Sequence, residues 1–213
     1  MPGHLDRPAG TPSRRRALRL LAGGALLVPL GAGRVDAARD ASFAGQLLVA
    51  RPRMRDPRFT ETVIYMLRHG RGGAMGLVIN RLAGLRPLAE VLRWMGIEET
   101  NATGHIRVHW GGPVGLDRGL VVHDSDYRRA ATRQVSDGVA VTAEPEVLRD
   151  IAAGTGPRRH LFALGYAGWA AGQLEAEMAE DAWVLVPADA ALLFDEDVSS
   201  KWRRALDRWG IDL

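Results

Sequence analysis

From about Ala41 onward, apolar residues fall into short runs separated by glycine, proline and charged residues. Gln46–Ala50 (QLLVA) is an apolar run of strand length. Thr62–His69 (TVIYMLRH) is rich in β-branched and aromatic residues, and Ala74–Asn80 (AMGLVIN) is a second apolar run. Gly70-Arg71-Gly72-Gly73 lies between them, so the pair predicts a hairpin with a glycine-rich turn. Further strands are expected at Ile106–Trp110, Gly119–His123, Val139–Thr142, His160–Tyr166 and Trp183–Val186.

Three segments switch to helical spacing. Leu88, Val91, Leu92 and Met95 recur at i, i+3, i+4 and i+7, with Pro87 before them and Gly96 after. Val147, Leu148, Ile151 and Ala152 form a second stripe between Pro145 and Gly154. Trp202, Ala205, Leu206 and Trp209 form a third, after Ser199-Ser200 and before Gly210. Proline at the start and glycine at the end is the expected punctuation of a helix. Strands come in adjacent pairs rather than alternating strictly with helices. That favours an α+β fold with a mixed, largely antiparallel sheet over a doubly wound parallel one.

Composition narrows the chemistry. The 213-residue chain has no cysteine, which excludes thiol catalysis, CxxC redox chemistry and Cys-ligated zinc. A chain of this length buries roughly 70% of its unfolded surface, enough to fold without disulfides or metal. The formal charge is +3, but residues 1–37 hold six arginines and two aspartates, so residues 38–213 carry −1. The basic character therefore belongs to the leader, and the domain lacks the concentrated positive surface that polyanion binding needs.

Residues 1–37 read as an export signal of the twin-arginine type. Ser13-Arg14-Arg15-Arg16-Ala17-Leu18-Arg19 resembles its motif, with Ala17 in place of the usual Phe. The apolar run Leu20–Gly33 would span only about 21 Å as a helix, short of a ~30 Å bilayer core. Val35-Asp36-Ala37 offers a cleavage site. An uncleaved anchor and a disordered leader are the alternatives. Export places the mature protein in the periplasm; otherwise it is cytoplasmic. No other segment has the length and apolarity of a transmembrane span. Residues 38–213 read as one domain.

Three blocks within that domain resemble the AlgH (YqgE-like) family of bacterial proteins. The first is Gly45-Gln46-Leu47-Leu48-Val49-Ala50, Asp56-Pro57-Arg58-Phe59 and Gly73-Ala74-Met75-Gly76-Leu77-Val78-Ile79-Asn80. The second is Gly111-Gly112-Pro113-Val114 with Arg118-Gly119 and Val122-His123. The third is Gly165-Tyr166-Ala167-Gly168-Trp169, Gly172-Gln173-Leu174-Glu175-Ala176-Glu177 and Ala182-Trp183. The resemblance implies a bifurcated sheet curled into a pseudo-barrel with flanking helices. It implies little about activity: the family's label as a transcriptional regulator has no recognisable DNA-binding module behind it. Relatives are generally cytoplasmic and lack a leader.

Sites of known chemistry are sparse. His105 and His109 lie on a strand-like segment, where four residues span about 13 Å and cannot share one ion. His69 and His123 fall at strand ends. No serine lies in G-x-S-x-G, and Ser125, Ser136, Ser199 and Ser200 read as turn or cap residues. Gly165, Gly168 and Gly172 follow a strand and precede a helix, but their spacing matches neither nucleotide-binding motif. Glu175 and Glu177 in the first helical turn would repel an anion there. Lys201, Arg203, Arg204 and Arg208 read as the solvated face of the last helix, and the six tryptophans read mostly as core. No metal or cofactor is expected.

Two functions follow. The preferred one is a non-enzymatic regulatory protein that binds a small molecule or protein, without sequence-specific nucleic-acid binding. Its expected pocket lies where two strand-end loops, Gly111-Gly112-Pro113 and Gly165-Tyr166-Ala167-Gly168-Trp169, meet, with His123, Gln173 and Glu175 at the edge. The other is an enzyme using His123 with Glu175 or Glu177 as acid–base groups.

Overall fold

The computed structural model describes residues 42–98 and 101–210. In chain order the elements are β1 (Gln46–Ala50), β2 (Val63–Gly70), β3 (Gly73–Val78), β4 (Leu82–Pro87), α1 (Leu88–Trp94), β5 (His105–Trp110), β6 (Val114–Asp124), β7 (Arg133–Ser136), β8 (Val139–Thr142), α2 (Glu146–Ala152), β9 (His160–Trp169), α3 (Gln173–Ala179), β10 (Trp183–Pro187), α4 (Ala190–Leu193) and α5 (Lys201–Trp209). The predicted hairpin is present, with β2 and β3 paired from Ile64↔Val78 to Gly70↔Gly73.

The sheet runs β10-β1-β2-β3-β9-β6-β8-β7, every neighbour in that path antiparallel. Strand β9 is the fork. Its first half pairs in parallel with β5, from Val108↔Phe162 to Trp110↔Leu164. Its second half pairs with β3, from Gly76↔Ala167 to Ala74↔Trp169. β5 carries β4 as an outer antiparallel strand. The mixed α+β sheet therefore splits and curls into a half-barrel.

Side-chain alternation divides the interior into layers. Leu47 and Val49 of β1 point into the half-barrel with Val63, Tyr65, Leu77, Val122 and Ala163, and Leu192, Leu193, Trp202 and Leu206 of α4 and α5 pack against them. Leu48 and Ala50 point outward to Ile64, Met66, Trp169 and Trp183, with Leu174 of α3. Burial on both faces explains why QLLVA is a continuous apolar run instead of an alternating one. Fully burying one such leucine contributes roughly 1.5–3 kcal/mol. Helices α1 and α2 cover a third cluster around Ile106, Val108, Val121 and Phe162.

Several expectations need correcting. The segment from Gly165 to Trp169 is not a loop; β9 continues through it. Gly165, at φ +73°, bends the strand without ending its pairing. Strands β4 and β7 and the four-residue α4 were not anticipated. β4 is an exposed edge with little apolar alternation to read, whereas α4 depends on Asp189, whose side chain accepts a 2.6 Å bond from Leu192 N. Trp94 and Trp209 are half exposed rather than core. The leader lies outside the described residues. Among those described, no helix is long and apolar enough to cross a membrane.

Candidate functional site

The two segments expected to form a pocket do meet, because backbone packs on backbone at the fork. Gly111 N donates to Leu164 O at 2.8 Å, and Gly111 O accepts from Val78 N at 2.9 Å, so one residue ties both branches. A Cβ on Gly111 would lie 2.3 Å from Gly165 O, and one on Gly112 (φ +147°) 2.1 Å from Tyr166 C. Neither position has room for a side chain, and packing alone accounts for these glycines. Pro113 follows as a half-buried turn residue, and Val114 pairs with Tyr166. The half-buried Tyr166 ring lies over Gly115 and Gly168, 3.3 Å from where a Cβ would sit on each.

Beyond the fork, Glu177 organises the third motif. Its Oε2 accepts from the indole Nε1 of both Trp169 and Trp183 at 2.9 Å, and its Oε1 accepts from Gln173 Nε2 at 2.9 Å. Gln173 Oε1 accepts in turn from Ala170 N at 3.1 Å. Trp169 is buried against Trp183, edge to face at 6.1 Å, so its ring is structural surface rather than an open platform.

The structure does not bring His123 to these carboxylates. His123 is fully buried on β6, opposite His160 at the start of β9. Glu175 lies past the far end of β9, which makes the strand's length, roughly 30 Å, the scale of the separation. His69 and His123 each have their own partners. His69 Nε2 lies 3.0 Å from Glu175 Oε1, with its ring stacked on Phe43 at 3.9 Å. His123 Nδ1–H donates to Asp124 O at 2.7 Å, which leaves Nε2 to accept from Thr142 Oγ1 at 2.9 Å. Thr142 then accepts from Thr132 Oγ1 at 2.7 Å, and Thr132 Oγ1 accepts from Arg129 N at 2.9 Å. This chain fixes one neutral tautomer with no free lone pair, and burial holds the His123 pKa below the usual range.

A cleft of about 320 Å³ opens elsewhere, between β5 and the segment after α4. His105, Arg107 and His109 alternate along β5 on one wall, Phe194, Asp195 and Glu196 form the opposite wall, and Arg158–Leu161 and Leu85 complete it. Arg107 spans the cleft: Nη1 donates to Glu196 O at 2.9 Å and Nη2 to Glu196 Oε2 at 2.7 Å. Arg159 grips Asp124 through two 2.8 Å bonds while its guanidinium lies 5.1 Å from the Phe194 ring centroid. Arg158 Nε donates to Asp126 at 2.7 Å. His160 Nδ1 is buried and has no hydrogen-bond partner among the described residues.

Two buried bases stand behind this cleft. His109 Nδ1–H donates to Phe162 O at 3.2 Å, and burial, reinforced by the charges of Lys201 and Arg107, pushes its pKa down to about 4. Lys201, expected on a solvated face, is instead fully buried, donating to Leu193 O at 2.8 Å and Ile79 O at 3.2 Å. Burial lowers its pKa to about 8. Arg204 and Arg208 of the same helix pair with Asp195 and Asp189. No cluster suited to a metal ion occurs among the described residues.

Comparison with known proteins matches residues 47–213 to the family described as DUF179, AlgH-like. The chain belongs to the AlgH-like family. It is 48% identical over 170 residues to a UPF0301 protein of Rhodospirillum rubrum, covering 80% of this chain and 88% of that one. A UPF0301 protein of Methylococcus capsulatus is 43% identical over 173 residues, covering 81% and 94%. The solution structure of the AlgH protein from Pseudomonas aeruginosa superposes with a TM-score of 0.71 at 42% identity, covering 83% of this chain and 94% of that one. A crystal structure of a Corynebacterium diphtheriae protein, 20% identical with a TM-score of 0.61, shares the fold; it covers 78% of this chain and 86% of that one.

The AlgH-like motifs thus gather at the fork and around Glu177, whereas the cleft draws mainly on residues outside them. Sequence reasoning weighed His105 and His109 only as a metal pair and passed over Arg107, Arg158, Arg159 and Phe194–Glu196. The available signals were weak: an Arg158-Arg159 pair entering a strand, and the acidic run Asp195-Glu196-Asp197 before the last helix.

Proposed function

We propose that this AlgH-like protein is a non-enzymatic, ligand-binding regulatory protein whose ligand seats in the cleft between β5 and the segment after α4. The observation that carries the reading is the construction of that cleft. Three arginines and three histidines meet apolar side chains from Leu85, Leu161 and Phe194 in one concavity, the kind of surface small-molecule sites use. The arginines are held by named carboxylates, so their donors are arranged before a ligand arrives. The leader motif supports a periplasmic location for this activity.

The test is a small-molecule screen by amide NMR on the purified chain. The expected result is a binder whose shifts cluster at residues 105–109, 158–161 and 194–196. Binders that shift only the Gly111–Pro113 and Gly165–Glu175 segments would return the site to the fork, and turnover of a screened compound would refute the non-enzymatic reading.

A further inference from the structure

We propose that the cleft beside β5 takes a small organic anion, a carboxylate carrying an apolar body, and that the Glu196 side chain holds the place where that carboxylate would bind. The inference rests on the cleft being the ligand site. It follows from comparing the ion pairs around the cleft. Asp124, under Arg159, is only 11% exposed and gripped by two nitrogens, so it is a permanent partner. Asp126 and Asp195 are 27% and 28% exposed. Glu196 is 79% exposed and meets a single nitrogen of Arg107. A pair this exposed stabilises little and gives way easily to a competing carboxylate.

Arg107 does not depend on that side chain for its aim. Its Nη1 is held by the backbone oxygen of Glu196, so Nη2 keeps pointing at the same spot when the Glu196 carboxylate swings away. A ligand carboxylate arriving there gains a charge-assisted hydrogen bond in ready-made geometry. Leu85, Leu161 and Phe194 line the same cleft and favour an apolar body on the acid. Inorganic phosphate would meet the arginine but nothing that rewards the apolar wall.

Titration of the full chain with benzoate, benzamide and inorganic phosphate, followed by amide NMR, tests this. Benzoate is expected to shift residues 105–109, 158–161 and 194–196 and to bind at least about tenfold more tightly than its neutral isostere benzamide. Glu196→Ala is expected to tighten benzoate by about threefold to fivefold, the size of an exposed ion pair's competition, and to leave benzamide unchanged. Arg107→Met is expected to abolish the preference for benzoate over benzamide. Phosphate binding as tightly as benzoate would overturn the apolar-body part. Benzamide binding as well as benzoate, or an unchanged benzoate affinity in Glu196→Ala, would overturn the anion proposal while leaving the cleft as a ligand site. Absence of cleft shifts with benzoate and benzamide, together with a screen that finds no cleft binder, would remove both.

Discussion

His109 makes the acid stability of this fold quantitatively predictable. Its side chain is 5% exposed and gives one hydrogen bond to Phe162 O, and burial lowers its pKa from 6.5 to about 4. A histidine with a depressed folded-state pKa is protonated first in the unfolded chain. Stability is therefore fully present above pH 6.5 and is lost as pH falls toward about 4, where the folded state also takes up the proton. The whole span corresponds to about 3 kcal/mol, and the part between roughly pH 7 and pH 5 to about 2 kcal/mol. Burial lowers the pKa of His123 and His160 as well, so as pH falls below about 6.5 the chain loses stability from three sites.

Substituting His109→Leu isolates one contribution, since the other two histidines remain in both proteins. Urea unfolding followed by tryptophan fluorescence, repeated across this pH range, gives the two stability curves. The variant should start lower at neutral pH, having lost the bond to Phe162, and should decline less steeply with acid. Between about pH 7 and pH 5 the gap should close by about 2 kcal/mol. Parallel curves would refute the reasoning, because they would mean that His109 titrates alike in the folded and unfolded chains.

Four other outcomes are expected. Glu177→Gln turns one of two accepting oxygens into a donor and sets it against either the two indoles or Gln173 Nε2, so it should cost about 1–3 kcal/mol in urea unfolding and change the tryptophan emission. Gly112→Ala puts a Cβ into the Tyr166 backbone at an unfavourable φ and should destabilise by at least about 3 kcal/mol, read by thermal unfolding or loss of soluble protein. Intact-mass analysis of protein from its native host should give a chain beginning near Ala38; retention of Met1 or Pro2 on the protein would contradict an export leader. Anisotropy titrations at physiological salt should show no nanomolar, sequence-dependent DNA affinity, because residues 38–213 carry −1.

What could be read from the sequence was what periodicity and steric necessity encode. The β2–β3 hairpin was visible because Gly70–Gly73 separates two apolar runs, and α5 because Trp202, Ala205 and Leu206 keep helical spacing over a buried face. The glycines at 111, 112 and 165 announced close backbone approach, though the approach serves the fork in the sheet. β4 escaped notice because its Leu82 and Leu85 are exposed on an edge, where no core imposes a pattern. The cleft escaped because it is assembled from non-local pieces. Arg107 meets Glu196 across 89 positions, and Arg159 meets Asp124 across 35. No local spacing records such pairings.

Lys201 shows how the cleft wall is held. Twenty-seven of the twenty-eight basic residues are arginine, so the one lysine, fully buried, stands where arginine does not serve. Its ammonium is a compact donor that reaches two carbonyls from different elements, Ile79 O after β3 and Leu193 O at the end of α4. A planar guanidinium is larger, aims its donors in a fixed fork and cannot shed its charge. Burying the ammonium opposes folding, as its pKa of about 8 records, yet removing it would leave two carbonyls without their donor. Leu193 immediately precedes Phe194, Asp195 and Glu196, the wall facing Arg107. The wall is therefore fixed at its root by a buried charge and exposed at its tip, where the Glu196 side chain meets Arg107. A cleft built this way keeps its shape while leaving one carboxylate free to be exchanged.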